Sequence, residues 1–228
     1  MKESTNLKDI VYSGVYSKLL SCIYKPGDVI TESSLMKEYN CSKTPVREAL
    51  LSLCAEGVLR SVPRYGYIVS HISVDEVIDM LRFRVCVERE FLKNNFQKFT
   101  DEQIDMLAEI DAQFQNSKNE AWEKWELHWE LNIQFHLKLL SFCNNKYAVE
   151  MLQSCLLRLK RAYAQYYLEM KSSDITLISQ KTRLNSHNHT KIISALRRKN
   201  CEELLEYLDR DILDFGGIHL KRDKVVLI

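Results

Sequence analysis

The chain has 228 residues, 46% of them hydrophobic, and a formal net charge of +1 at pH 7. This length suits two domains, and the hydrophobic fraction is enough for a sizeable buried core. Only six glycines and three prolines occur, which favours a mostly helical protein with few tight turns. The near-neutral charge excludes a strongly basic, histone-like protein, although it leaves room for a local basic surface.

The seven cysteines are scattered along the chain, and no two of them are spaced as C-x-x-C. This pattern favours reduced thiols at apolar positions over a disulfide framework or a zinc ribbon. No N-terminal apolar run resembles a signal peptide, and no stretch approaches the roughly 18 apolar residues of a membrane span. We therefore expect a cytoplasmic protein.

The N-terminal part of the chain predicts two short helices. Apolar residues within 7–20 follow helical spacing, and the adjacent Pro26 and Gly27 then break the helix. Thr31 is placed to cap a second helix that ends near Tyr39.

A third helix is predicted to begin at Ser42 or Thr44, either of which is a suitable capping residue. Pro45 falls in its first turn, where the missing N–H of proline costs nothing. The apolar residues of this helix fall on one side. Lys43, Thr44 and Arg47 therefore lie around its exposed N-terminal turns.

The stretch after the third helix predicts a β-hairpin. Gly57 ends the helix, and two short extended segments then flank a turn at residues 63–66. Three short helices closed by a hairpin are the plan of a winged helix-turn-helix domain, which we place at residues 1–70. In such proteins the second helix of the motif sends its N-terminal residues into the major groove of DNA.

Four spaced elements occur in order in this domain: YKPGD at 24–28, TESSL at 31–35, SKTPVREAL at 42–50 and EGVL at 56–59. Together they resemble the GntR superfamily of bacterial transcription regulators. The resemblance implies that DNA phosphates and base edges are contacted by Ser42, Lys43, Thr44 and Arg47. It also implies that the minor groove is entered by the tip of the wing, formed by Arg64, Tyr65 and Gly66.

Lys43 departs from the superfamily, which more often has arginine at this position. Lysine reaches phosphate or guanine but lacks the bidentate fork of arginine. For Arg47 and its neighbour Glu48 the alternative interpretation is a solvated helix face, since most such charges decorate a surface.

Residues 71–228 predict an all-α bundle of about six helices, so the whole chain is expected to be mostly α. Helical periodicity begins after Ser73 and continues through the rest of the chain, with the last helix running from Glu202 to about Phe215. No strand pair, Gly-rich phosphate loop or nucleophile elbow is recognisable in this part.

Several motifs of the bundle occur in a characteristic order: R-x-x-x-E at 84–88, Phe135-His136, Asn144-Asn145 and HTKI at 189–192. A winged helix followed by these motifs resembles the FadR branch of the superfamily, whose effector domain is called FCD. The resemblance implies that the bundle dimerises and binds a small carboxylate effector, often through a divalent metal.

A metal site is implied by the same resemblance. Many members place an Asp and a His four residues apart on one helix, a His on a later helix and another His 22 residues beyond that one. In this chain His189 and Asp211 are also 22 residues apart. The matching residues of this chain are Asn132, His136, His189 and Asp211. Two nitrogen and two oxygen ligands still suit an ion of the Zn, Ni or Mn type, although a neutral Asn oxygen binds more weakly. A metal-free polar pocket is the alternative.

Three arginines are candidates for holding the carboxylate of an effector, because a guanidinium group grips a carboxylate with two parallel hydrogen bonds. They are Arg84, Arg158 and Arg161. The remaining histidines show no comparable register with the metal set, and we predict them at the surface: His128, His187 and His219. His187 is nevertheless near enough to His189 in sequence to substitute for it.

The sequence thus predicts a ligand-responsive transcription regulator and no enzyme. A dimer of winged helices requires a double-stranded operator with two-fold related half-sites. Binding of a small organic acid in the bundle would change the affinity of the dimer for that operator. One alternative is a DNA-binding dimer whose bundle has lost its ligand, to which Asn132 and Asp211 lend weight. The other is a metal-dependent enzyme, against which no paired carboxylates, activated nucleophile or cofactor loop accompanies the histidines.

Overall fold

The computed structural model describes residues 6–117, 125–172, 188–215, 218–221 and 224–227. The chain forms two compact units. The first contains Met1–Ser73 and Ala164–Asp174, and the second contains Val74–Tyr163 and Ile175–Ile228. None of the helices that the structure describes combines the length and hydropathy that crossing a bilayer requires.

The first unit is a winged helix-turn-helix. Its helices are α1 (Leu7–Leu20), α2 (Glu32–Glu38) and α3 (Lys43–Ala55). Its strands β1 (Val29–Ile30), β2 (Leu59–Val62) and β3 (Gly66–Val69) form an antiparallel sheet in the order β1-β3-β2. The sequence predicted the β2–β3 hairpin but missed β1, because two residues are too few to show the alternation of a strand.

Local signals explain where these helices begin. The Thr31 side chain accepts a hydrogen bond from the Ser34 N–H (3.2 Å), which is the predicted cap of α2. Ser42 precedes α3 without a side-chain capping bond. One hydrophobic core joins the three helices to the sheet, and it includes Val11, Val15, Leu35, Val46, Leu50, Leu59 and Val69. Burial of this core fixes the opposite, polar side of α3 at the surface.

The second unit is a bundle of helices. The structure describes α4 (Val74–Asn95), α5 (Asp101–Ser117), α6 (Trp125–Ser141), α7 (Lys146–Ser172), α8 (Asn188–Arg197) and α9 (Cys201–Leu213). Helix α8 packs between α5 and α9, and α9 also packs on α4. The predicted fold class, mostly α with a winged helix followed by a helical bundle, is confirmed. Residues 175–187, predicted to be helical, lie outside the described residues.

The C-terminal end differs from the prediction. Helix α9 ends at Leu213, and the backbone continues as β4 (Asp214–Phe215), β5 (Ile218–Lys221) and β6 (Lys224–Leu227). These strands form an antiparallel sheet in the order β4-β5-β6. The all-helical interpretation was wrong here, because the alternating residues of β5 and the paired valines of β6 favour extended backbone.

Candidate functional site

The N-terminal turns of α3 face solvent. Ser42, Lys43, Thr44 and Arg47 are all exposed, while Val46 on the opposite side of the helix is completely buried. Nζ of Lys43 lies 3.1 Å from a carboxylate oxygen of Glu32. A helix N-terminus presents unpaired N–H groups and a partial positive charge, so this end of α3 favours an anion such as a DNA phosphate.

The tip of the β2–β3 hairpin is the second exposed feature of this unit. Arg64 has a positive φ of 65°, and the Tyr65 side chain is 59% exposed. Gly66 has a φ of 128°, and a Cβ atom added there would lie 2.7 Å from the Ile30 carbonyl oxygen of β1. The chain therefore needs glycine at position 66 for the fold of the wing.

A buried polar cluster lies in the second unit, where α6, α8 and α9 meet. One possible ligand atom from each of His136, His189 and Asp211 lies within 4.8 Å of the other two. Nε2 of His136 is 2.8 Å from Oδ2 of Asp211, and Nε2 of His189 is 3.6 Å from the same oxygen. Three of the four predicted metal ligands thus converge. The fourth, Asn132, is half-buried one turn before His136 on α6.

Helix α4 adds a charged pair to the cluster. The Arg84 Nε–H donates to Oε1 of Glu88 (2.8 Å), and both side chains are almost completely buried. The other oxygen of Glu88 lies 2.6 Å from Nδ1 of His136. Nη2 of Arg84 is buried and has no hydrogen-bond partner among the described residues. An unpaired buried donor of this kind is costly, and a ligand oxygen would satisfy it.

His189 is enclosed by aromatic rings. The Phe135 ring stacks on it at a centroid distance of 3.8 Å, and the Phe114 ring lies at 4.6 Å. Both ring nitrogens of His189 are buried without a hydrogen-bond partner among the described residues. A buried imidazole without a hydrogen bond leaves both ring nitrogens able to bind a water molecule or an ion.

An outer carboxylate lies behind His189. Oδ1 of Asp111 on α5 is 3.9 Å from Nδ1 of His189. The Thr190 hydroxyl donates to Oδ2 of Asp111 (2.6 Å), and the Gln115 amide donates to Oδ1 (2.8 Å). Sequence reasoning assigned no role to Asp111 or to Glu88. Glu88 belongs to the R-x-x-x-E motif, but no sequence signal connects Asp111 to the site.

The cluster shifts the pKa of three of its members. Burial alone would lower the pKa of His136, but attraction to Glu88 and hydrogen bonds to Asp211 and Glu88 raise it. Burial would raise the pKa of Glu88, but Arg84 and His136 lower it. Burial likewise opposes the charged form of Asp211, whereas attraction to His189 and the bond to His136 hold its pKa well below the usual value.

Arg158, Arg161 and His128 are the other predicted residues whose side chains the structure describes. Nη2 of Arg158 lies 2.5 Å from Oε1 of Glu76 in a half-exposed ion pair, and Arg161 is buried on α7. The prediction of a surface position for His128 was wrong, because its ring is buried 4.0 Å from that of Phe114. The side chains of His187 and His219 lie outside the described residues.

Two protein-family models together match most of the chain. The family model for bacterial regulatory proteins of the gntR family matches residues 7–69, and the FCD domain model matches residues 79–213. The chain is similar to the HTH-type transcriptional regulator YdhC of Bacillus subtilis (strain 168), 24% identical over 147 residues that cover 64% of this chain and 62% of that protein. It is also similar to the Nta operon transcriptional regulator of Aminobacter aminovorans, 24% identical over 189 residues that cover 81% of each chain.

Among solved structures, E. coli McbR/YncC has a similar fold. The TM-score is 0.68 at 21% sequence identity, and the match covers 91% of this chain and 93% of that one.

Proposed function

Because this chain belongs to the GntR family of bacterial transcription regulators and carries an FCD effector-binding domain, we propose that a small organic acid controls its affinity for operator DNA. In this proposal the protein works in the cytoplasm as a homodimer. The bundle binds its ligand and does not catalyse a reaction. The observation that carries the proposal is the buried, unpaired guanidinium nitrogen of Arg84 in the effector domain.

DNA binding is assigned to the exposed end of α3 and to the wing. Arg47 and Lys43 supply positive charge beside the N-terminus of α3, where Ser42 and Thr44 offer hydroxyl groups. Arg64 and Tyr65 lie at the wing tip, and Gly66 contributes backbone only. Helix N-terminal turns that enter the major groove read base edges, and basic side chains around them contact phosphates.

Dimerisation is assigned to the exposed surface of α4 and α7. The Cys155 thiol donates to the Met80 carbonyl (3.6 Å), and Arg158 pairs with Glu76 (2.5 Å), so these helices run antiparallel side by side. Continued along the helices, this register places Phe83 close to Met151. Together with Tyr147, which is 71% exposed, they form an apolar patch. A second copy of the chain covers such a patch across a two-fold axis, which also matches a two-fold operator.

The effector is assigned to the space beside Arg84. Its Nε–H is already bonded to Glu88, which leaves the buried Nη2 to donate to a ligand. A carboxylate satisfies a guanidinium donor in an environment of low dielectric, where charge-assisted bonds are strong. Arg158 and Arg161 stay candidates for further contacts to the same ligand.

A divalent ion is assigned to Asn132, His136, His189 and Asp211. The unpaired ring nitrogens of His189 support this assignment, as does the convergence of three ligand atoms. Charge supports it too, since the two imidazoles contact three buried carboxylates, Glu88, Asp111 and Asp211, and Arg84 pairs with Glu88. With neutral imidazoles these groups carry two net negative charges, which a dication neutralises. When bound, the ion would supply a positive charge that coordinates oxygen atoms of the effector.

The test begins with a DNA duplex that the wild-type protein selects from a random-sequence library. Fluorescence anisotropy then measures its dissociation constant with a panel of small mono- and dicarboxylates, each with and without Zn²⁺, Ni²⁺ or Mn²⁺. We expect at least one acid to change the DNA affinity of the wild type and to have no effect on Arg84→Met. The matched control is Arg197→Met, because Arg197 pairs with Asp105 on the exposed surface. Unchanged DNA affinity with every acid and ion contradicts the proposal and favours a bundle that only dimerises.

A further inference from the structure

Both histidines of the buried cluster have the same orientation. Each turns Nε2 toward Oδ2 of Asp211, at 2.8 Å for His136 and 3.6 Å for His189. Each turns Nδ1 toward an outer carboxylate, Glu88 at 2.6 Å for His136 and Asp111 at 3.9 Å for His189. We infer that Glu88 and Asp111 are positioning residues that fix both histidines with Nε2 available to a divalent cation. The inference rests on the proposed metal site.

An outer carboxylate decides which ring nitrogen binds the ion. Imidazole carries one proton when neutral, and the nitrogen that lacks it is the one that donates electrons to a metal. A carboxylate that accepts the Nδ1–H keeps the proton there, orients the ring and makes Nε2 more basic. Glu88 meets this requirement for His136, since its oxygen is within hydrogen-bond distance of Nδ1.

Glu88 itself is a poor candidate for a ligand of the same ion. Nδ1 and Nε2 point out of opposite sides of an imidazole ring, and Glu88 faces Nδ1 while Asp211 faces Nε2. An ion on Nε2 is therefore separated from Glu88 by the ring. Arg84 also holds the other oxygen of Glu88 in place, through a bond of 2.8 Å within α4.

Asp111 has the same role for His189 at a longer distance. Its two oxygens are fixed by Thr190, the neighbour of His189 in sequence, and by Gln115 one turn along α5. The carboxylate thus faces Nδ1 from a fixed position. At 3.9 Å the contact is longer than a hydrogen bond, so Asp111 orients the Nδ1 side of the ring through its charge.

The experiment measures Co²⁺ binding to the full-length protein. Visible spectra follow binding, because thiolate ligands give a separate charge-transfer band that reports any binding at cysteines. Competition with a chromophoric chelator gives the dissociation constant. The variants are Glu88→Gln and Asp111→Asn, which remove one charge while keeping an oxygen that accepts the Nδ1–H. The matched control is Asp105→Asn on α5, where an exposed carboxylate pairs with Arg197.

We expect each variant to weaken Co²⁺ binding by roughly 10- to 100-fold. His136→Ala should abolish binding at this site, and Asp105→Asn should bind as the wild type does. Melting temperatures in chelator identify a variant that fails to fold. Glu88→Gln carries this risk because it leaves Arg84 buried without its partner. Asp111→Asn leaves that pair intact, so it tests the inference independently.

Two results would overturn the inference. One leaves the proposed metal site intact, and the other removes it as well. If the wild type binds Co²⁺ and the folded variants bind it equally well, Glu88 and Asp111 have no positioning role, while the metal site itself stands. If the wild type binds no Co²⁺, Zn²⁺ or Ni²⁺, the metal part of the proposed function fails and the inference fails with it.

Discussion

Nε2 of His136 lies 2.8 Å from Oδ2 of Asp211, although 75 residues separate the two in the chain. The contact joins α6 to α9, and the same aspartate oxygen faces His189 of α8. Asp211 is therefore the point at which the three helices share one polar site. Buried charges of this kind are weak evidence for stability, and a cluster of them with shifted pKa values is consistent with a role in ligand binding.

Stability should depend on pH through this cluster when a chelator removes metal ions. The pKa of His136 is raised above its ordinary value of 6.5, so its contribution is fully present below about pH 6.5 and is lost as the pH rises through the folded value. The pKa of Glu88 is lowered from 4.5 and that of Asp211 from 3.8, so their contributions are present above those values and are lost as the pH falls.

Urea unfolding between about pH 6 and pH 9 measures this dependence. The midpoint of the wild type should fall as the pH rises, and His136→Gln should remove that part of the dependence. An equal loss of stability in both proteins would show that other groups cause it.

Arg47→Ala should weaken binding to the selected duplex by about 10- to 100-fold, because it removes the charged contact that we propose Arg47 makes in the groove. The melting temperature should hardly change, since the Arg47 side chain is exposed on α3 and is not packed in the core. The control is Glu48→Ala, the exposed neighbour. Anisotropy and thermal melts give both quantities. A large fall in melting temperature would assign Arg47 a structural role instead.

The need for glycine at position 66 can be tested by comparing the stability cost of Gly66→Ala with that of alanine at a second glycine with a positive φ, Gly27. Gly66→Ala combines backbone strain at a φ of 128° with a contact of 2.7 Å to the Ile30 carbonyl. Gly27→Ala has strain at a φ of 89° and nothing within 4 Å of the added atom. Urea unfolding should show a loss of at least about 2 kcal/mol for Gly66→Ala and about 1 kcal/mol for Gly27→Ala. Equal losses would mean that the sheet yields to the added methyl group.

If the proposed dimer forms through the apolar patch of α4 and α7, Tyr147→Arg should convert it to a monomer, because it places a charge in that patch. Met106→Arg is the control, since Met106 is 45% exposed on a different helix, α5. Light scattering coupled to gel filtration reports the mass of each variant. A Tyr147→Arg protein that stays dimeric would place the interface on another surface.

Sequence signals found the parts of the protein whose residues are close together in the chain. SKTPVREAL at 42–50 marks α3, because a cap, a helix-start proline and an apolar face coincide within nine residues. Strand β1 was missed, since it exists only through its pairing with β3, in which Ile30 faces Tyr67. The C-terminal strands β5 and β6 were missed because four residues each are too few to show a clear strand pattern.

In the bundle, the sequence predicts which residues share one face of a helix. It does not predict which residues of different helices come into contact. His128, Asn132 and His136 are four apart and share one face of α6, a register that the prediction of a surface position for His128 overlooked. Asp111 could not be assigned, because its relation to His189 depends on how α5 packs on α8. Packing of this kind is decided by the whole core and leaves no local pattern.

The reciprocity of coupled binding gives the most direct measurement of effector control. Calorimetry can titrate the active acid into the free protein and into the protein saturated with its selected duplex. If the acid weakens DNA binding tenfold, DNA must weaken acid binding tenfold, which corresponds to about 1.4 kcal/mol of coupling. We predict the same factor in both titrations, and no acid binding to Arg84→Met. An acid that binds free and DNA-bound protein with equal affinity would contradict control of DNA binding by the bundle.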